Sequence, residues 1–144
     1  AIAQQANLQG VDLSGLDLTG VNLWNADLTG AILKGAKLDE ASLRQAIAQD
    51  ANLQGVNLMV MDLSGMDLSG LDLTGANLTG ADLRGANLSK ANLRGANLSK
   101  ANLRGAILKH ADFARAELNM VQVFNIRLPK QSLYSFFRRR ETQI

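Results

Sequence analysis

All thirteen glycines of this 144-residue chain fall on one position of a five-residue cycle, from Gly10, Gly15 and Gly20 through Gly85, Gly95 and Gly105. Two residues before that position stands Leu in 22 of the 26 units between Ala3 and Leu128, the exceptions being Ala3, Ala48, Phe113 and Val123. A period of five matches neither the 3.6 of a helix nor the 2 of a strand, so no amphipathic template applies. Unbroken repetition at a short fixed period points to a solenoid, in which each unit buries its apolar side only by stacking on the next.

The other slots of the cycle refine this reading. Two residues before Leu the side chain is small or aliphatic, as in Ala81, Val56 and Leu71, and just before Leu it is usually Asp or Asn, as in Asp82 and Asn87. Two slots therefore point inward and three outward. Gly two residues after Leu suits a tight turn that needs positive φ at its third residue. The Asp and Asn side chains are suited to bonding nearby backbone in turns, so they are read as structural and not as catalytic carboxylates.

Units such as Ala81-Asp82-Leu83-Arg84-Gly85 and Ala91-Asn92-Leu93-Arg94-Gly95 resemble those of the pentapeptide repeat proteins, of the cyanobacterial type. The resemblance covers residues 1–128. It implies an all-β fold, a right-handed quadrilateral β-helix with four pentapeptides per square coil, and hence a rod roughly 30 Å long at a strand spacing of about 4.8 Å. Leu63, Leu68, Leu73, Leu78, Leu83, Leu88, Leu93 and Leu98 are expected in its core. Residues 129–144 form a second unit, a C-terminal cap and tail. Ser132 is its expected N-cap, and Leu133, Phe136 and Phe137 fall at helical spacing before Arg138–Arg140. This helix is expected to close the open end of the solenoid, and related proteins also dimerise at that end. No comparable cap precedes Ala1, which leaves the N-terminal end as a second candidate for a homodimer contact.

A longer repetition overlies the short one. AIAQQANLQGVDL at 1–13 recurs as AIAQDANLQGVNL at 46–58, and Ser14–Gly20 recurs identically at Ser69–Gly75. The offsets, 45 and 55, differ by two whole units, which keeps every Leu inward. The stretch Lys37 to Asp50 keeps the five-residue count but has Glu40, Gln45 and Asp50 where Gly is expected and Ala48 in a Leu slot. The expectation there is a changed turn type at a tolerated corner.

With only 4% aromatic residues the core must be aliphatic, and with no cysteine neither a disulfide framework nor a thiolate metal site can form. No run of about 18 apolar residues is present, so no membrane span is expected. No basic and apolar leader pattern precedes Ala1, so the cytoplasm is the expected compartment, with the periplasm and thylakoid lumen as alternatives. His110 is the sole histidine, and no Gly-rich stretch carries the Lys and Ser/Thr of a phosphate loop. The chain is read as no enzyme, with no cofactor or metal.

Net charge is +2, yet residues 1–75 carry 3 − 9 = −6 and residues 76–144 carry 12 − 4 = +8. Some pentapeptide repeat proteins confer quinolone resistance by resembling DNA and binding gyrase through a strongly acidic surface. A basic half argues against that role, which stands as the alternative to a non-catalytic scaffold binding another protein. Counting modulo twenty places Arg44, Arg84 and Arg104 on one face with Trp24 and Phe124, and Lys90 and His110 on the next, while Met59 points outward. These six residues, Arg44, Arg84, Arg104, Lys90, His110 and Met59, form the candidate interaction surface. Too few aromatics accompany the cations for a nucleic-acid platform.

Overall fold

The computed structural model describes residues 6–23 and 26–127. The expected cap at Leu133, Phe136 and Phe137, and part of the expected count of twenty-six units, lie outside the described residues. Within them the chain winds as a β-helix. Isolated parallel bridges join residues twenty apart, as in Asp62↔Asp82↔Asn102↔Gln122, so each coil has four sides, one pentapeptide to a side.

One pentapeptide explains why the sequence repeats as it does. Going from Asp82 to Ala86, the Asp82 N–H donates to Met61 O in the coil below, while those of Leu83 and Gly85 donate to Asn102 O and Arg104 O in the coil above. The Arg84 N–H donates to Asp82 Oδ1, and the Ala86 N–H closes a turn onto Leu83 O. All five donors are thereby satisfied, as buried or half-buried backbone requires. The turn holds Gly85 at φ 66°, the left-handed value of a type II corner.

The inward slots build a continuous aliphatic core. Leu63, Leu68, Leu73, Leu78, Leu83, Leu88, Leu93 and Leu98 are all buried, and Ala76, Ala81, Ala86, Ala91, Ala96, Ala101 and Ala106 fill the space between them. Met66 is buried and Met61 half-buried against the same core. The first described coil is less well covered. Val11 and Leu16, both in inward slots, remain exposed at its N-terminal side.

Two expectations are corrected. The fold is not purely β: α1, Glu40–Ala48, stands where a changed turn was expected. EASLRQAIA consists mostly of strong helix formers, Asp39 caps it by accepting the Ser42 N–H, and Glu40 sits favourably in its first turn. The helix takes the place of two sides without shifting the register, because Ile32↔Asn52 and Lys37↔Asn57 still bridge twenty residues apart across it. Leu43 and Ala46 remain in the core while Ala41 and Ala48, inward in the repeat frame, become exposed. The second correction is at Asp50, where a changed turn was expected and the left-handed corner persists, as it does at the other corners without glycine. Asp50, Val60, Lys90, Lys100, His110, Arg115, Met120 and Asn125 keep positive φ, so the turn geometry outlasts the glycine that favours it.

Candidate interaction surface

Where α1 departs from the coil, its side chains replace the lost main-chain rungs. In regular coils a Gly-slot N–H donates to the carbonyl nineteen residues on, as Gly15 does to Lys34. Gly20 donates instead to Asp39 Oδ2, at 2.8 Å, while the other oxygen of the same carboxylate caps the helix at 2.9 Å. Gln45 Nε2 donates to Ala26 O at 3.2 Å, and Ser42 Oγ reaches Val21 O at 3.5 Å. Asp39, Ser42 and Gln45, spaced by threes, thus fasten one helix face to the coil beneath. The Ser42 and Gly20 N–H donors hold the Asp39 carboxyl below the usual carboxylate range, against the opposing effect of burial. A shallow cleft of about 150 Å³ lies along this junction, lined by Gly20, Val21, Asn22, Leu23, Asp39, Ala41, Ser42 and Gln45.

The outward residues form four corner columns and four flat sides. The structure divides the candidate residues among them. Arg84 and Arg104 lie in one column with Phe124, whose ring lies 5.8 Å from the Arg104 guanidinium carbon. Arg84 folds back on its own coil, where Nε and Nη2 meet the Asp82 carboxylate. That contact holds the Asp82 carboxyl below its ordinary value and raises the Arg84 guanidinium. Arg44 is not at a corner. It belongs to α1, where it pairs with Glu40 four residues earlier at 2.9 Å. Counting by twenty placed it with Arg84 because α1 preserves the count while replacing the turn. Lys90 and His110 occupy successive positions of the next column, each with positive φ. Met59 is exposed on a different corner, beside Val60.

The aspartates of the turn slot share one electrostatic pattern. In Asp12, Asp17, Asp27, Asp62 and Asp67 the hydroxyl of the Ser or Thr two residues on, and then its N–H, hold the carboxyl below the usual range. Asp72 is lowered chiefly by the Thr74 hydroxyl. Carboxylates tied up in this way cap turns. Among the described residues no group of three or more His, Cys, Asp or Glu is placed to hold a metal ion.

A family model for pentapeptide repeats matches in eight copies, over residues 3–35, 33–59, 61–95 and 91–127. The chain belongs to the pentapeptide repeat family. Among solved structures it is similar to a pentapeptide repeat protein of the cyanobacterium Cyanothece 51142, with 34% identity over 83% of this chain and a TM-score of 0.37. The chain spans 65% of the length of that relative. A pentapeptide repeat protein of the Arabidopsis thaliana thylakoid lumen is 27% identical, covering 94% of this chain and 77% of its own, with a TM-score of 0.55. QnrB1, a plasmid-mediated fluoroquinolone resistance protein, shares the fold at 18% identity, covering 92% of this chain and 62% of its own, with a TM-score of 0.57. No curated protein sequence matches the chain. Among the described residues no helix is long and apolar enough to cross a membrane.

The cue for α1 was present in the sequence. Asp39 followed by fifteen residues without glycine, with Leu43, Ala46 and Ile47 at helical spacing, is a helix signal that the unbroken count of five obscured.

Proposed function

We propose that this pentapeptide repeat protein is a non-catalytic scaffold that binds another protein through its corner columns. The observation that carries this reading is the filled bore: side chains from Leu63 to Leu108 close the interior, leaving the chemistry to the outer surface. Enzymes acting on small molecules generally use concave pockets of several hundred Å³, larger than the shallow cleft beside α1. The columns holding Arg84, Arg104 and Phe124, and Lys90 and His110, supply charge and one exposed aromatic ring to a partner. The cytoplasm is the compartment that fits this reading, with a periplasmic or lumenal site as the alternative.

Action on gyrase as a DNA mimic is the competing reading. It draws on the fold shared with QnrB1, while the charge of residues 76–144, 12 − 4 = +8, opposes it, since a DNA mimic needs a continuous acidic surface. A supercoiling assay separates the two. Micromolar protein is expected to leave gyrase activity and its quinolone sensitivity unchanged, and inhibition or protection would overturn the scaffold reading. Replacing Arg84 and Arg104 with Ala should release a partner captured from the native host without lowering the unfolding midpoint.

A further inference from the structure

We infer that one side of the rod, running from Asn87 through Ile107 to Arg127, docks an acidic segment of another protein that also carries apolar side chains. These three residues are successive parallel rungs, about 4.8 Å apart. The corner residues Lys90, Arg104, Lys109 and His110 flank them, all exposed, as is Arg127. Within residues 84–127 this side holds the cations Lys90, Arg104, Lys109 and Arg127 and no carboxylate, while Arg84 at its edge is turned onto Asp82. The other three sides of the same coils each carry an acid in the middle column, Asp82, Asp112 and Glu117, and the first two pair with Arg84 and Arg94. The four cations of this side have no carboxylate partner among the described residues. Like charges gathered on one rigid side repel each other, and an anionic partner relieves that cost.

The middle column favours a protein segment over a nucleic acid. Ile107 is half-buried and stands in the outward slot where Asp or Asn is the rule. Asn87, one rung earlier, accepts the Ser89 N–H at 3.0 Å. An isoleucine cannot accept the corresponding N–H of Lys109, so the coil gives up a turn bond there and adds nothing to the bore. An apolar side chain centred among cations has the make-up of a protein interface, apolar in the middle and charged at the rim. To a phosphate backbone it offers nothing. The single ring at the corner, Phe124, is held under the Arg104 guanidinium and falls short of the run of aromatic platforms on which bases stack. The backbone of this side is already paired between coils, with the Leu88 N–H on Ile107 O and the Leu108 N–H on Arg127 O. The segment therefore docks through side chains and not by adding a strand.

The inference rests on the scaffold reading of the corner columns, and the two fail separately. A fluorescent peptide of Glu-Glu-Leu repeats is expected to bind the full chain, as read by anisotropy, and to bind it more tightly than a Lys-Lys-Leu counterpart or a duplex DNA oligonucleotide does. Its affinity should fall as ionic strength rises, since exposed charges are screened beyond about 10 Å at 0.1 M salt. Lys90→Glu combined with Lys109→Glu should weaken binding at least about tenfold, and Lys100→Glu on another corner less than about twofold. Ile107→Asn gives the sharpest outcome: it restores the turn acceptor, so the unfolding midpoint holds, while loss of the apolar centre weakens the peptide at least about threefold. Absence of peptide binding at low salt, equal effects of Lys100→Glu and the double variant, affinity unmoved by Ile107→Asn, or tighter binding of the DNA would each overturn the acidic occupant. With gyrase supercoiling unaffected, such a result leaves the scaffold reading standing; an effect on gyrase removes that reading, and this one with it.

Discussion

The coils before α1 and those after it obey the same five-residue rule and fill it differently. In the first described coil the small inward slots hold Val11, Leu16 and Val21, exposed or half-buried, and Ala26, Ala31 and Ala36 of the next coil are buried; well beyond the helix they hold Ala76 to Ala106, every one buried. The turn slot holds Asp12, Asp17 and Asp27 before the helix and a run of Asn well beyond it, at Asn87, Asn92, Asn97 and Asn102. Either side chain accepts the N–H two residues on, as Asp12 does from Ser14 and Asn97 from Ser99. The difference teaches that the frame specifies hydrogen-bond acceptors and volumes, leaving charge free to vary along the rod.

The largest expected contrast is in the core. Leu88→Ala, in the Ala-filled region, should cost about 2 to 5 kcal/mol through lost burial and a cavity that neighbouring coils cannot close. Leu13→Ala, at the thinly covered end, should cost markedly less, because Leu13 is 9% exposed and its surroundings can relax. Urea midpoints of the two variants measure the difference, and equal shifts would break the comparison.

Asp39→Ala comes next, at about 1 to 2 kcal/mol for a lost N-cap. It also leaves the Gly20 N–H without its acceptor. A thermal scan with a helix-sensitive dichroism signal checks both, and Asp39→Asn should recover most of the loss.

The pH response follows from the turn slot. Seven of the eight aspartates held below their usual range, Asp12, Asp17, Asp27, Asp39, Asp62, Asp67 and Asp72, precede residue 75, and Asp82 alone follows it. A depressed folded-state value means that the contribution is complete above the ordinary carboxylate range and is lost as pH falls through the lowered values. Acid should therefore loosen the coils up to residue 75, on both sides of α1, before those beyond it. Replacing Asp12, Asp17 and Asp27 with Asn should flatten the acid limb of stability, as followed by hydrogen exchange of amides before and after residue 75. The smallest effect is at a corner: Lys90→Gly relaxes φ 61° and should stabilise by about 0.5 to 1 kcal/mol, read from the urea midpoint.

Much of the β-helix was legible because its repeat is self-explanatory: Leu fills the bore, Asp or Asn satisfies a donor, and Gly turns the corner. Counting by twenty also placed Arg104 in line with Phe124, and the guanidinium lies over that ring, 5.8 Å from its centre. Legibility failed at Glu40–Ala48, where Leu43 and Ala46 fit the inward slots of a square coil and the buried face of a helix equally well. Local propensity and the Asp39 cap decided between two structures that the core pattern alone leaves equivalent. The candidate surface residues were less legible still, since an exposed cation obeys no packing constraint, and the side-chain pairing of Arg44 with Glu40 depends on a helix the frame conceals.

Because α1 enters and leaves within the coil's own twenty-residue pitch, the segment it occupies behaves as a ten-residue cassette. Its two ends are fixed by the neighbouring rungs, and its content is free provided one Leu and one small residue still reach the bore. A rod of near-identical coils offers few places where a distinctive shape can arise without unwinding everything beyond it. The cassette is such a place, and exchanging its sequence is the most economical way for a protein of this architecture to acquire a new recognition feature.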